Sequence, residues 1–123
     1  MAKEKICLII NPVSGTESKK NIPEDVAAAI DQKKYDLIIR ITGYPEHATE
    51  MALEAVKKKY RYVIAAGGDG TVNEVARALV NTDITLGILP LGSGNGLARD
   101  LGIPMDIEKA LDIILQGHIR AID

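Results

Sequence analysis

The sequence contains no phenylalanine, no tryptophan and only four tyrosines, so any core must be built from aliphatic side chains. Its single cysteine, Cys7, excludes a disulfide framework and a cysteine-based zinc site, and points to a reducing, cytoplasmic compartment. No apolar run approaches the roughly 20 residues that a membrane-spanning helix needs. The opening Met-Ala-Lys-Glu-Lys lacks the apolar stretch of a signal peptide. Neither sign of charge is in excess. Fifteen basic residues stand against 17 acidic ones, a net −2, which argues against nucleic acid as an obligate partner. What is present is ample apolar content, 46% of 123 residues, enough for one domain and too much for disorder. Glycine is plentiful and unevenly placed: eight of the 11 fall between Gly67 and Gly102.

Four short aliphatic runs, Ile6–Ile10, Leu37–Ile41, Val63–Ala66 and Ile84–Leu89, read as strands buried on both faces, and therefore as a parallel sheet. Between them apolar residues recur at helical spacing. One set is Ala48, Met51, Ala52, Ala55 and Val56; another is Val72, Val75, Ala76, Leu79 and Val80. A third is Ile107, Ala110, Leu111, Ile114 and Leu115, with Asp106 placed as N-cap. An earlier helix is expected from Pro23, turning Val26, Ala27 and Ile30 inward, and His118–Ile122 alternates like an exposed or edge strand. The expected fold is α/β: a doubly wound, mainly parallel, Rossmann-like sheet in three layers, with right-handed crossovers. The chain ends at Asp123, directly after an expected strand and without a closing helix, and truncation is the expectation.

In such sheets ligands bind beyond the carboxyl ends of the strands. The unusual loops, Asn11–Gly15, Gly67–Gly70 and Pro90–Gly96, follow the first, third and fourth strands and so open on one edge. Gly67-Gly68-Asp69-Gly70-Thr71 lies between a buried strand and a helix, where backbone N–H groups and the helix dipole attract phosphate. The three glycines remove Cβ atoms that would hold a polyphosphate away from those amides. No Lys-Ser/Thr follows, so this is not a Walker A loop. Asp69 would repel phosphate unless a cation lay between them, which implies Mg²⁺, reached through water, or a proton-handling role. Asn11-Pro12-Val13-Ser14-Gly15 is by itself ordinary turn chemistry. Pro90-Leu91-Gly92-Ser93-Gly94-Asn95-Gly96 combines alternating glycines with a hydroxyl and an amide ahead of a short helix expected at Leu97–Leu101. Thr42 reads first as a strand-end residue whose hydroxyl could reach a nucleotide. His47 reads as a solvated helical histidine, and Glu74 as a first-turn acid complementing a dipole. Lys57–Lys59 with Arg61 reads as a solvated helix end.

Together Gly67–Val75 (GGDGTVNEV), Asn11–Gly15 (NPVSG) and Leu89–Pro104 (LPLGSGNGLARDLGIP) resemble the nucleotide-binding domain of the diacylglycerol kinase and sphingosine kinase superfamily. They are similar especially to the soluble bacterial diacylglycerol kinase-like lipid kinases. GGDGT is shared with NAD kinases and, more loosely, phosphofructokinases; the block from Leu89 to Pro104 favours the lipid kinases. The resemblance implies an NAD kinase- and phosphofructokinase-like fold with an ATP site. That site would be lined by Asn11, Pro12, Val13, Ser14, Gly15 and Thr42, and by Gly67, Gly68, Asp69, Gly70, Thr71, Val72 and Asn73. Gly92 and Ser93 would join it, Ser93 standing where relatives usually carry Thr, and Glu74 would lie near the nucleotide. Asp69 would be the essential carboxylate, and with Asp123 part of a water-bridged Mg²⁺ network. Bacterial relatives often have Asn-Asp-Phe where this chain has Asn95-Gly96-Leu97, so a metal-organising carboxylate is lacking there.

The resemblance further implies that residues 1–123 are the ATP-binding domain of a lipid kinase using Mg-ATP on a diacylglycerol-like hydroxyl. A second, β-rich domain, absent from this chain, would supply the lipid cleft and the catalytic base and make transient contact with a membrane surface. The fragment alone is then expected to be inactive. A sphingoid-base or NAD kinase domain, a non-catalytic nucleotide-binding module and a structural α/β domain with degenerate loops stay open as alternatives.

Overall fold

A computed structural model describes residues 3–12, 22–90 and 107–115. Four strands, β1 (Glu4–Ile10), β2 (Tyr35–Ile41), β3 (Tyr62–Gly67) and β4 (Thr85–Pro90), alternate with helices α1 (Ile22–Ala29), α2 (His47–Lys57) and α3 (Asp69–Leu79). A helix α4 (Ile107–Leu115) follows β4. The sheet is entirely parallel, in the order β2-β1-β3-β4. Chain direction across the sheet reverses after β2, and right-handed crossovers then place α1 on one face and α2 and α3 on the other. The packing agrees, since α1 touches α4, while α2 and α3 touch each other. The expected doubly wound α/β architecture is what the chain forms.

Alternation along each strand sends successive side chains to opposite faces. Cys7 meets Met51 and Ala55 of α2, whereas Leu8 pairs in register with Ile64, and Ile64 with Gly87, on the face that α4 covers. Aliphatic residues fill both faces: Ile6, Leu8, Ile9, Ile64, Leu86 and Ile88 are fully buried. Each contributes roughly 1.5–3 kcal/mol relative to exposure. The helix faces follow the sequence spacing, with Ala48, Met51, Ala52 and Ala55 buried on α2, Val72, Val75 and Leu79 on α3, and Val26 on α1. Ala110, Leu111 and Ile114 do the same on α4.

Two expectations need correction. The Leu37–Ile41 run is not buried on both faces: β2 is an edge of the sheet, mostly half-buried, and Ile41 is 55% exposed. Val80 does not continue the inward face of α3. The helix ends at Leu79, Val80 adopts extended geometry, and Asn81 turns left-handed at φ 64°. The Thr82 hydroxyl then donates to the Leu79 carbonyl at 2.7 Å, occupying an acceptor the helix end leaves open. The strand expected at His118–Ile122, the helix at Leu97–Leu101 and the Asp106 cap lie outside the described residues. No helix among the described residues is long and apolar enough to cross a membrane.

Candidate functional site

With strand order 2-1-3-4 the winding reverses between β1 and β3, and a crevice opens at their carboxyl ends. The ladder runs on past the strands, Asn11 N–H donating to the Ala66 carbonyl (3.0 Å) and Thr42 N–H to the Ile10 carbonyl (2.9 Å). The side chain of Asn11 then bridges the crevice, its Nδ2 donating to Oγ1 of the buried Thr71 at 3.1 Å. This bond joins the loop after β1 to the start of α3, across 60 residues of sequence. Pro90 pairs with Gly67 in register, so β4 ends at the same edge as β3.

Beside this bridge lies a cleft of about 420 Å³. Asn11, Pro12, Thr71 and Glu74 form one side, and Thr42, Gly43, Tyr44, Pro45 and Ala48 the other. At its margin the chain passes from β3 into α3. Gly68 is the N-cap residue and Asp69 the first residue of the helix, so Asp69 does not cap it. The first helical bond of α3 runs from Val72 N–H to the Gly68 carbonyl at 3.1 Å. The amides before it lie at the open, dipole-positive end, where anions are favoured. A Cβ added at Gly70 would meet nothing within 4 Å, so no packing among the described residues requires glycine there. Glycine at such a position costs about 1 kcal/mol against alanine. The missing side chain leaves the Gly70 backbone exposed at the helix start.

The anticipated residues are distributed as follows. Asn11, Pro12, Thr42, Thr71 and Glu74 meet at the cleft. Gly67, Gly68, Asp69 and Gly70 form the adjoining strand–helix junction without lining the cleft itself. Val72 turns its side chain into the core, leaving only its backbone for a ligand, and Asn73 is exposed on α3 away from the cleft lining. Val13, Ser14, Gly15, Gly92, Ser93 and Asp123 lie outside the described residues. Glu74 sits in the second turn of α3, not the first; it lines the cleft, and its carbonyl accepts the Thr49 hydroxyl at 2.9 Å. The Lys57–Lys59 segment is a solvated helix end as expected, with Lys58 paired to Glu54 at 2.9 Å.

Sequence reasoning missed Gly43, Tyr44, Pro45 and Ala48, although a Gly-Tyr-Pro turn on the ligand edge was a usable signal. His47 is helical as expected, the first residue of α2, but the contacts of its ring were not anticipated. That ring accepts the Gly43 N–H at Nδ1 (2.8 Å) and stacks on Tyr44 with centroids 4.0 Å apart and planes within 7°. Tyr44 donates its hydroxyl to Glu50 at 2.8 Å, and this bond holds the phenol above its ordinary ionisation range.

Among the described residues no group of three or more His, Cys, Asp or Glu side chains could hold a metal ion. The donor set is a carboxylate, Asp69, at a phosphate-attracting helix start. That set suits Mg²⁺, which binds through one or two carboxylates together with substrate phosphates rather than in an all-protein cage.

A cleft at the switch point of a parallel sheet, beside a glycine-rich helix start, is where open α/β folds bind their ligands. Residues 5–123 match the diacylglycerol kinase catalytic domain family, and the chain belongs to it. The chain is 42% identical over 119 residues to a diacylglycerol kinase of Bacillus subtilis, covering 94% of this chain and 39% of that protein. It is 36% identical over 123 residues to one from Staphylococcus aureus, with 98% and 39% covered. The crystal structure of a diacylglycerol kinase from Bacillus anthracis superposes with a TM-score of 0.75 at 34% identity, covering 96% of this chain and 44% of that one. The chain therefore spans about 40% of the length of the curated relatives it matches.

Proposed function

We propose that this chain is the nucleotide-binding part of an ATP-dependent lipid kinase that transfers the γ-phosphoryl group to the hydroxyl of diacylglycerol or a related lipid. The observation carrying the reading is the Asn11–Thr71 bridge, which ties the loop after β1 to the phosphate-attracting start of α3 at one cleft. The family of the chain and the diacylglycerol kinase activity for which its relatives are named support the same reading.

Phosphoryl transfer needs positioning and charge neutralisation more than covalent help from the protein. The amides at the start of α3 would receive phosphate oxygens, and Asn11 and the Thr42 hydroxyl would orient the nucleotide. Glu74 would accept hydrogen bonds from its hydroxyl or amino donors. Tyr44, Pro45 and Ala48 offer an apolar wall for the base. Asp69 would hold Mg²⁺ against the phosphates. The ion, when bound, would neutralise charge on the transferring group. As the bond from γ-phosphorus to the ADP oxygen breaks, one to the lipid oxygen forms, and the hydroxyl proton passes to a base. We assign that base and the lipid site to the part of such proteins that this chain does not span. Calorimetric titration with ATP, with and without Mg²⁺, tests the reading. Binding strengthened by Mg²⁺, with no diacylglycerol phosphorylation by residues 1–123, is expected. Absence of heat at millimolar nucleotide would refute it.

A further inference from the structure

We propose that His47 is a positioning residue of the nucleotide cleft, acting through Gly43 and Tyr44; the proposal rests on the reading of the cleft above. The segment from Thr42 to His47 carries one wall of the cleft, and local propensity alone would not hold it in place. The residue before α2 is Glu46, which makes no side-chain cap and sits left-handed at φ 70°. A non-glycine residue pays for that conformation, so the surroundings must over-determine it. Tyr44 is 52% exposed, so burial does not fix the segment either.

What does fix it is a set of braces that meet at His47. Its backbone N–H donates to the Tyr44 carbonyl at 3.1 Å, closing the turn. Its Nδ1 accepts the Gly43 N–H at 2.8 Å, which commits the neutral ring to carry its proton on Nε2. Its face supports the Tyr44 ring in a near-parallel stack. Two outer ties complete the frame: the Tyr44 hydroxyl to Glu50, and the Arg77 guanidinium of α3 to Glu46, each at 2.8 Å. Thr42 and Tyr44, two of the groups that face the cleft, are thus the immediate neighbours of the Gly43 amide that His47 holds. The imidazole itself is not a lining group. Its action on a ligand would run through the backbone it positions.

The bond requires an acceptor at the first atom beyond Cγ. Asparagine places its Oδ1 there, whereas glutamine places its carbonyl one bond further out and alanine offers none. On the whole chain, ATP affinity by titration calorimetry, thermal stability, and hydrogen exchange at the Gly43 amide are measured for wild type, His47→Ala, His47→Gln and His47→Asn. Loss of one such bond should weaken ATP binding about five- to tenfold in the Ala and Gln variants. The Gly43 amide should exchange faster in both, and His47→Asn should restore amide protection and most of the affinity. Wild-type ATP binding with all three variants alike overturns the positioning role and leaves the nucleotide reading standing. Affinity that tracks melting temperature instead of amide protection likewise overturns it, reducing His47 to a brace of the fold. Failure of wild type itself to bind ATP overturns the reading and the proposal together.

Discussion

Asp69 begins α3 with an exposed side chain, and two roles meet there that one substitution separates. As a first-turn acid it complements the helix dipole, a contribution of at most about 1 kcal/mol. As the proposed carboxylate for metal or proton it would need its charge. Asp69→Asn in the full-length enzyme should therefore lower kcat at least about a hundredfold while leaving stability within about 1 kcal/mol. Near-wild-type turnover would return Asp69 to a helix-start residue. Cys7 makes a different, alkaline prediction. Burial pushes its thiol from an ordinary 9.0 to about 11, Arg40 and Lys58 opposing and Glu54 assisting. Between those values the unfolded chain releases a proton that the folded chain keeps, so stability is undiminished below pH 9 and falls as pH rises toward 11. Tyr60 and Tyr62, raised chiefly by burial, act in the same direction at the upper end. Denaturant unfolding at pH 8 and pH 11 should show the gap between wild type and Cys7→Ala shifting by about 2 kcal/mol toward the variant. A constant gap would contradict it. At this scale the position of Asp69 was legible: the strand–helix junction expected around it is where the fold places it, as the first residue of α3. The ring contacts of His47 were not, because they depend on a turn that only the fold defines, and Glu74, anticipated at the cleft, was placed one helical turn too early.

Among the elements, the helix faces were the easiest to read, because burial imposes the 3.6-residue period directly, as Met51, Ala52 and Ala55 show on α2. The start of α2 was legible from the helical spacing and not from a cap, since Glu46 in a left-handed conformation carries no capping signature. The edge position of β2 was hidden for another reason. Its run of leucine and isoleucine looks like that of a central strand, and only the strand order leaves it half-buried. Gly87 shows the same dependence on packing. It lies within β4, where a Cβ would stand 2.6–2.9 Å from three atoms of Ile114 on α4, a fully buried β-branched residue with little freedom to yield. Gly87→Ala should cost about 1–3 kcal/mol of stability, measured by denaturant unfolding, through overpacking. Ile114→Ala should then cost measurably less in the Gly87→Ala background than in wild type. Additive losses would show that α4 does not press on the strand there.

At the scale of the molecule, parallel strands, aliphatic runs and loops on one edge were enough to anticipate the doubly wound sheet and the edge that carries the cleft. The outline of the cleft was not, since half its wall comes from the turn after β2. A second cleft, of about 400 Å³, lies near the amino ends of β3 and β4, with Lys59, Arg61 and Asp83 around it. Its cations could attract phosphate on charge alone, so the two ends of the sheet make rival predictions for a nucleotide. Amide chemical-shift mapping of the chain titrated with Mg-ATP separates them most directly. The expected result is a set of saturable shifts concentrated at Asn11, Thr42–Tyr44 and Gly67–Glu74, with the amides of Lys59, Arg61 and Asp83 unmoved. Shifts confined to Lys59, Arg61 and Asp83, or no saturable shift at either end, would contradict a nucleotide site at the β1–β3 switch point.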